Sequence, residues 1–233
     1  MSALGAPRLH LRSTDSTNER ARELALAGAP ALAAAPPGSS ILMSLILRTP
    51  PELLPLIAAV AVCDVVGEDA RIKWPNDVVL EQPASAPEGP PRSSPGLCKL
   101  AGILAEGRPQ QGWAVLGIGL NVAVSLDELP AELRGDGAGA GPLPAATMGL
   151  GRDRVEPTLA LLLAALQRRL GEPAEATLAA WRERDALRGR EVAWATGEGR
   201  AEGIDGLGRL VVVLADGGRT SLGSGEVHLA RIS

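Results

Sequence analysis

Four short segments carry residue types that can do chemistry. Lys73-Trp74-Pro75-Asn76-Asp77 places an ammonium, an indole, an amide and a carboxylate around a proline. Such a run suits a strand end, where the ladder stops and side chains enter an open turn. An isolated Pro-Asn-Asp is ordinarily only a turn, and the full pentapeptide says more. In Lys99-Leu100-Ala101-Gly102-Ile103-Leu104-Ala105-Glu106, a lone lysine enters an apolar strand, and Gly102 lets a ligand or another backbone come close. Its ammonium is a compact charge suited to a carboxylate or phosphate; taken alone, it is equally a strand-start lysine reaching solvent. Gly117-Ile118-Gly119-Leu120-Asn121-Val122 clears one strand face for a flat ring, and Asn121 offers the donor and acceptor that an adenine edge needs. No third glycine or helix follows in register, so this is not a dinucleotide fingerprint. Finally, Ser13-Thr14-Asp15-Ser16-Thr17-Asn18 is a hydroxyl-rich turn that can donate to a ureido or amide group, although Ser16 and Glu19 also form a simple helix capping box.

The rest of the composition narrows the setting. The 233 residues are 45% hydrophobic, enough for a real core, yet there is no Phe or Tyr, and four Trp are the only large aromatic side chains. Of 23 basic residues only Lys73 and Lys99 are lysines, so lysine is kept at two places in a chain that otherwise uses arginine. A net charge of -4 gives no general attraction to nucleic acid or anionic membrane. Leu53 to Val66 is too short to span a bilayer and the N-terminus lacks a signal-peptide core, so a soluble, cytoplasmic protein is expected. Cys63 and Cys98 form no disulfide framework or metal cluster, and His10 and His228 have no triad-like partners. No protein-held metal site is expected.

These segments must be positioned by the elements around them. The spacing predicts a helix from Ser16 to Gly28, a buried strand over Ile41 to Leu47 and a buried helix over Glu52 to Val66. Strands follow at Ala70 to Trp74 and Val78 to Leu80, then a Pro/Ser/Gly-rich hairpin tip over 81–98. Lys99 to Glu106 and Trp113 to Val122 read as paired central strands, and Ser125 to Arg154 as an irregular connection or lid. Thr158 to Leu170 and Ala174 to Leu187 read as helices. From Arg188 short alternating runs separated by glycine turns suggest a small antiparallel barrel, with a domain boundary near Ala186, dividing the chain into 1–186 and 187–233.

In this order, the four segments resemble those of bacterial biotin–protein ligases, and the resemblance runs from about Leu9 to the C-terminus. It includes Gly199 to Leu210, which reads G-x-x-x-G-I-D-x-x-G-x-L, and Gly225-Glu226-Val227. The resemblance implies an α+β fold: a mixed central sheet with helices packed on it, of the class II synthetase-like biotin/lipoate ligase kind, plus a small C-terminal SH3-like β-barrel. It implies an enzyme that joins biotin to ATP, with Mg2+, as biotinyl-5′-AMP. Biotin then passes to a lysine of the biotin carboxyl carrier protein of acetyl-CoA carboxylase or a related carboxylase. By position, Ser16, Thr17, Asn18, Lys99 and Gly102 match the biotin side, and Lys73, Trp74, Asn76, Gly117, Gly119 and Asn121 match the ATP/adenylate side. Lys99 would stabilise charge as pyrophosphate leaves, and Asp77 would hold the acceptor lysine or a magnesium-bound water.

One departure is large. The family's G-R-G-R-x-G loop, which closes over biotin and the adenylate, is absent between Gly28 and Pro36-Pro37-Gly38. On the order of twenty residues are missing there, the preceding strand included, beyond ordinary loop variation. A non-catalytic or loop-deleted homologue that binds biotin or the carrier is therefore one alternative, and a lipoate–protein ligase is another. Too few residues precede the first motif for a DNA-binding domain, so no repressor role is expected; a homodimer is compatible with the pattern.

Overall fold

A computed structural model describes residues 4, 8–9, 16–26, 33–34, 38–82, 96–108, 112–129, 143–223, 225 and 227–229. The expectations for His10, Ser13 to Asp15, Gly28, Glu226 and most of the hairpin tip (83–95) lie outside the described residues. Seven strands form the first sheet: β1 (Arg8–Leu9), β2 (Ala33–Ala34), β3 (Ser40–Arg48), β4 (Ala70–Lys73), β5 (Asp77–Gln82), β6 (Gly96–Arg108) and β7 (Trp113–Asn121). Their order is β1-β2-β3-β7-β6-β5-β4. β1 and β2 are parallel and the other pairs antiparallel, so the sheet is mixed. Before Pro36 lies the two-residue β2, whose backbone pairs with β1 on one side and β3 on the other.

Strict alternation gives this sheet two unlike faces. Ile41, Met43, Leu45 and Leu47 of β3 join Leu116, Ile118 and Leu120 of β7 and Ala101 and Ile103 of β6 in one core. Helix α2 (Leu54–Val66) lies on that face, with Leu56 through Cys63 all buried. A helix apolar on every side must be covered on every side, and α3 (Val155–Leu170) and α4 (Ala174–Glu183) pack on its far surface. Pro55 sits in its first turn, where the missing N–H is not needed. Asp64 of α2 accepts two bonds from Arg169 of α3, at 2.7 and 2.9 Å. On the opposite face α1 (Thr17–Leu26) covers only one end, through Ala21 against Ile46, Trp113 and Val115.

The second sheet contains β8 (Glu191–Trp194), β9 (Gly197–Ile204), β10 (Leu210–Val213), β11 (Arg219–Leu222) and β12 (His228–Leu229), in the order β11-β10-β9-β8-β12. All its pairs are antiparallel, but the sheet is open: β11 and β12 are not paired with each other among the described residues. The small antiparallel barrel expected from Arg188 onward corresponds to this five-stranded sheet, which is not closed among the described residues.

The turn between β9 and β10 docks on the first sheet and α2. Trp74 Nε1 donates to the Gly208 carbonyl at 3.1 Å. Gly208 has φ +74, and a Cβ there would stand 2.8 Å from Leu56 Cδ2, so only glycine fits. Asp205 holds the turn by accepting from the Leu207 and Arg209 N–H groups. The helix expected to reach Leu187 stops at Glu183, because the next residues run along the edge of β4 instead. There Ile72 donates to the Arg184 carbonyl at 2.7 Å, and Ala186 donates to the Ile72 carbonyl at 2.9 Å. Among the described residues no helix is long and apolar enough to cross a membrane.

Candidate functional site

The open face of the first sheet brings several of the expected site residues together. Leu42, Gly119, Gly102, Asp77 and Lys73 stand opposite one another across β3, β7, β6, β5 and β4, and so share one face. Glycine at the two central positions leaves a shallow floor. Leu42 and Leu104 border it and remain 46% and 53% exposed, which marks apolar surface left uncovered.

A β-bulge brings Lys99 to this floor. Val78 faces Ala101 while Val79 faces Lys99, so Leu100 is an extra residue in β6. In a regular strand, residues 99 and 102 would point to opposite faces; the bulge turns Lys99 to the side of Gly102 and Asp77. Its Nζ lies 2.7 Å from Asp77 Oδ1. Its Cε lies 3.2 Å from where a Gly102 Cβ would be, so the lysine lies across the glycine.

The polar end of the trough lies further along β3. Ser16 caps α1, its hydroxyl accepting from the Glu19 N–H at 3.2 Å. The next two residues thereby face the sheet. Ser44 Oγ donates to Asn18 Oδ1 at 2.5 Å and lies 2.9 Å from Thr17 Oγ1. Asn18 Nδ2 donates to Glu106 Oε2 at 3.2 Å, and Arg22 pairs with the other Glu106 oxygen at 2.6 Å. Asn18 lies directly over Gly117: a Cβ there would come within 2.1 Å of Asn18 Oδ1. Gly117 thus makes room for Asn18, whereas Gly119 keeps the floor open.

Ser44, Glu106 and Arg22 are members of this cluster that reading the sequence missed as site residues. The signal for Ser44 was present, a lone hydroxyl in the apolar run Ile41-Leu42-Met43-Ser44-Leu45-Ile46. Arg22 and Glu106 left no comparable mark, since each looks like an ordinary surface charge.

Three expected adenylate-side residues serve the fold more than the floor. Trp74 is buried on the core face and holds the β9–β10 turn, so its indole is not on the open face. Asn76 donates to the Ile103 carbonyl at 2.7 Å and accepts from the Ile103 N–H through its own carbonyl at 2.9 Å, fixing the turn before Asp77. Asn121 accepts from Ser40 Oγ at 3.3 Å and donates to the Ala146 carbonyl at 2.9 Å, so both ends of its amide are engaged. It ties down the segment 143–150, which runs along the strand ends and accepts the Lys99 N–H at the Pro144 carbonyl. Of the irregular connection or lid expected from Ser125 to Arg154, residues 143–150 form an irregular strap beside the floor. Lys73 stands on the floor side opposite Asp77, with its side chain buried.

Among the described residues no group of three or more His, Cys, Asp or Glu side chains could hold a metal ion.

Residues 188–229 match the family described as the biotin protein ligase C terminal domain. No curated protein matches the chain. Solved structures do. The apo biotin protein ligase of Aquifex aeolicus aligns with TM-score 0.72 at 22% identity, covering 96% of this chain and 98% of that one. The same enzyme in complex with biotin and ATP aligns with TM-score 0.71 at 21% identity, covering 97% and 100%. The biotin acetyl coenzyme A carboxylase synthetase of Helicobacter pylori, with bound biotinylated ATP, gives TM-score 0.58 at 15% identity, covering 92% and 98%. This chain therefore has the fold of the biotin protein ligases over nearly its whole length, and its residues 188–229 match their C-terminal domain family.

Proposed function

We propose that this chain is an ATP-dependent biotin–protein ligase, which makes biotinyl-5′-AMP and passes biotin to a lysine of a carboxylase's biotin carboxyl carrier domain. Residues 1–186 would carry the chemistry and 187–233 would brace it through the Trp74 contact. One observation supports this above the rest: a glycine-floored trough with an amide and hydroxyl cluster at one end and the Lys99 ammonium at the other. The ammonium lies at the level of Gly102, opposite Gly119 and Leu42, so the two ends differ by two residues along β3 and by two strands across the sheet, about 12 Å at roughly 3.3 Å per residue and 4.8 Å per strand. That suits a fused bicyclic ureido ring carrying an extended five-carbon acid.

In this reading Thr17, Asn18 and Ser44 present donors and acceptors to the ureido group, with Ser16 fixing the turn. Leu42 and Leu104 flank the apolar ring and chain. Gly102 and Gly119 let the ligand lie against the backbone, and Lys99 meets the carboxylate. A carboxylate oxygen then attacks the α-phosphorus of ATP, a new O–P bond forms and pyrophosphate leaves with the electron pair of the broken bond. Lys99 offsets the negative charge gathered there. Asn121 and Asn76 act through position, by fixing the strap and the turn around Lys99 and Asp77. Magnesium would arrive on the ATP phosphates, since the described side chains offer no cluster to hold it.

The absence of G-R-G-R-x-G favours one rival, a homologue that binds biotin or carrier without activating it. The deciding experiment gives this chain purified carrier domain, biotin, ATP and magnesium, and detects product with streptavidin. A biotinylated carrier supports the ligase; biotin binding without product leaves the rival.

A further inference from the structure

We infer that Asp77 exchanges cations between the two half-reactions, holding Lys99 while the site is empty and taking the acceptor lysine once the adenylate has drawn Lys99 away. The inference rests on the proposed ligase function and adds an order of events to it.

The two partners of this ion pair are unequal. Asp77 has a short side chain, is fixed at the start of β5 by the Asn76 turn, and its side chain is only 15% exposed. Lys99 has a four-carbon arm, lies over Gly102 where no side chain obstructs it, and its side chain is 45% exposed. An anion arriving on the glycine floor can therefore move the lysine, and cannot move the carboxylate. A largely buried carboxylate left without a cation is costly, so the departure of Lys99 creates a site for another ammonium. The acceptor lysine supplies one. Before the adenylate forms, the same place presents the positive charge of Lys99 and repels it. Lys73 stands on the other side of Asp77, with its side chain buried at the edge strand, and is the competing cation that the test must follow.

The transfer step then balances. The acceptor ammonium gives one proton to water and its nitrogen bonds to the acyl carbon. The bond from that carbon to the phosphate oxygen breaks, its electron pair leaving with AMP. The second proton passes from nitrogen to the Asp77 carboxylate and on to water.

The chain's own composition makes the exchange directly visible, because lysine labelled with 13C at Cε gives signals from Lys73 and Lys99 alone. Lys99→Gln assigns them. The full chain is compared with Asp77→Asn, free and saturated with a sulfamoyl-linked analogue of biotinyl-5′-AMP. The exchange predicts that Asp77→Asn displaces the Lys99 signal in the free protein and leaves it unchanged in the bound one. Equal displacement in both states overturns it, as does a Lys73 signal that becomes sensitive to Asp77 only when the analogue is bound. A second arm needs no change at Asp77: Lys99→Gln without ligand should bind the carrier domain as tightly as the analogue-loaded wild type, at least tenfold tighter than the free wild type. Carrier binding by Lys99→Gln no tighter than by the free wild type overturns the exchange. If the analogue perturbs neither lysine in the wild type, it is the ligase reading itself that fails.

Discussion

Replacing Gly117 by alanine tests how the polar end of the trough is built. A Cβ at that position would lie 2.1 Å from Asn18 Oδ1 and 2.7 Å from Asn18 Cγ and Nδ2. The side chain of Asn18 must leave, and with it go the bonds to Ser44 at 2.5 Å and to Glu106 at 3.2 Å. Each bond is worth about 1 kcal/mol net, and the Ser44 hydroxyl keeps Thr17 Oγ1 as an acceptor at 2.9 Å. Alanine recovers roughly 0.5–1 kcal/mol over glycine within the strand. The expected loss is about 1 kcal/mol, or a melting temperature lower by about 2–4 °C for a chain of this size. Urea denaturation and biotin calorimetry on Gly117→Ala, Asn18→Ala and the double variant form the assay. With Asn18 already truncated, adding a methyl at Gly117 should cost nothing and restore part of the lost stability. The same penalty in both backgrounds would refute the packing of Asn18 on Gly117. Biotin affinity unchanged in Gly117→Ala would remove this cluster from the binding site.

Three further outcomes are expected. Lys99→Ala removes a charge-assisted contact worth about 2–3 kcal/mol, so biotin-dependent ATP–pyrophosphate exchange should fall roughly a hundredfold; a rate within threefold of wild type contradicts the role given to that ammonium. Burial pushes the Asp185 carboxyl above its usual range, although the Leu187 and Arg188 backbone N–H groups and the Arg188 charge pull the other way. Its Oδ2 is buried with no partner. A folded pKa above the unfolded value means that stability is highest below the unfolded pKa and falls as pH rises through the folded one. Asp185→Asn removes that fall, so its stability relative to wild type should improve between pH 4 and pH 7 in urea titrations, and a constant difference would contradict it. Burial likewise pushes the Cys63 thiol up to about 12, so it should resist iodoacetamide at pH 8 in the native state and react once urea unfolds the chain.

Much of the architecture is legible without coordinates. The apolar run from Leu54 to Cys63 can only be a helix covered on all sides, and the alternation in Ile41 to Leu47 and Trp113 to Leu120 fixes which residues face the core. Ser16 and Glu19 mark the start of α1, and glycine at 117 and 119 marks a strand face cleared for something. Lys99 and Asp77 stand out as candidates for chemistry by their types and by the scarcity of lysine. Local pattern suffices for these because each depends on neighbours within a few residues.

Tertiary structure decided what those residues face. Trp74 reads as part of a ligand-binding pentapeptide, yet its partner is the carbonyl of Gly208, 134 residues away, which no local pattern encodes. Gly117 is cleared for Asn18, and Asn121 spends its amide on Ser40 and Ala146, both contacts across separate segments. Most of all, Lys99 and Gly102 are three residues apart in one strand, a spacing that puts them on opposite faces. Only the extra residue at Leu100, forced by the register that β5 imposes on β6, turns the ammonium onto the glycine floor beside Asp77.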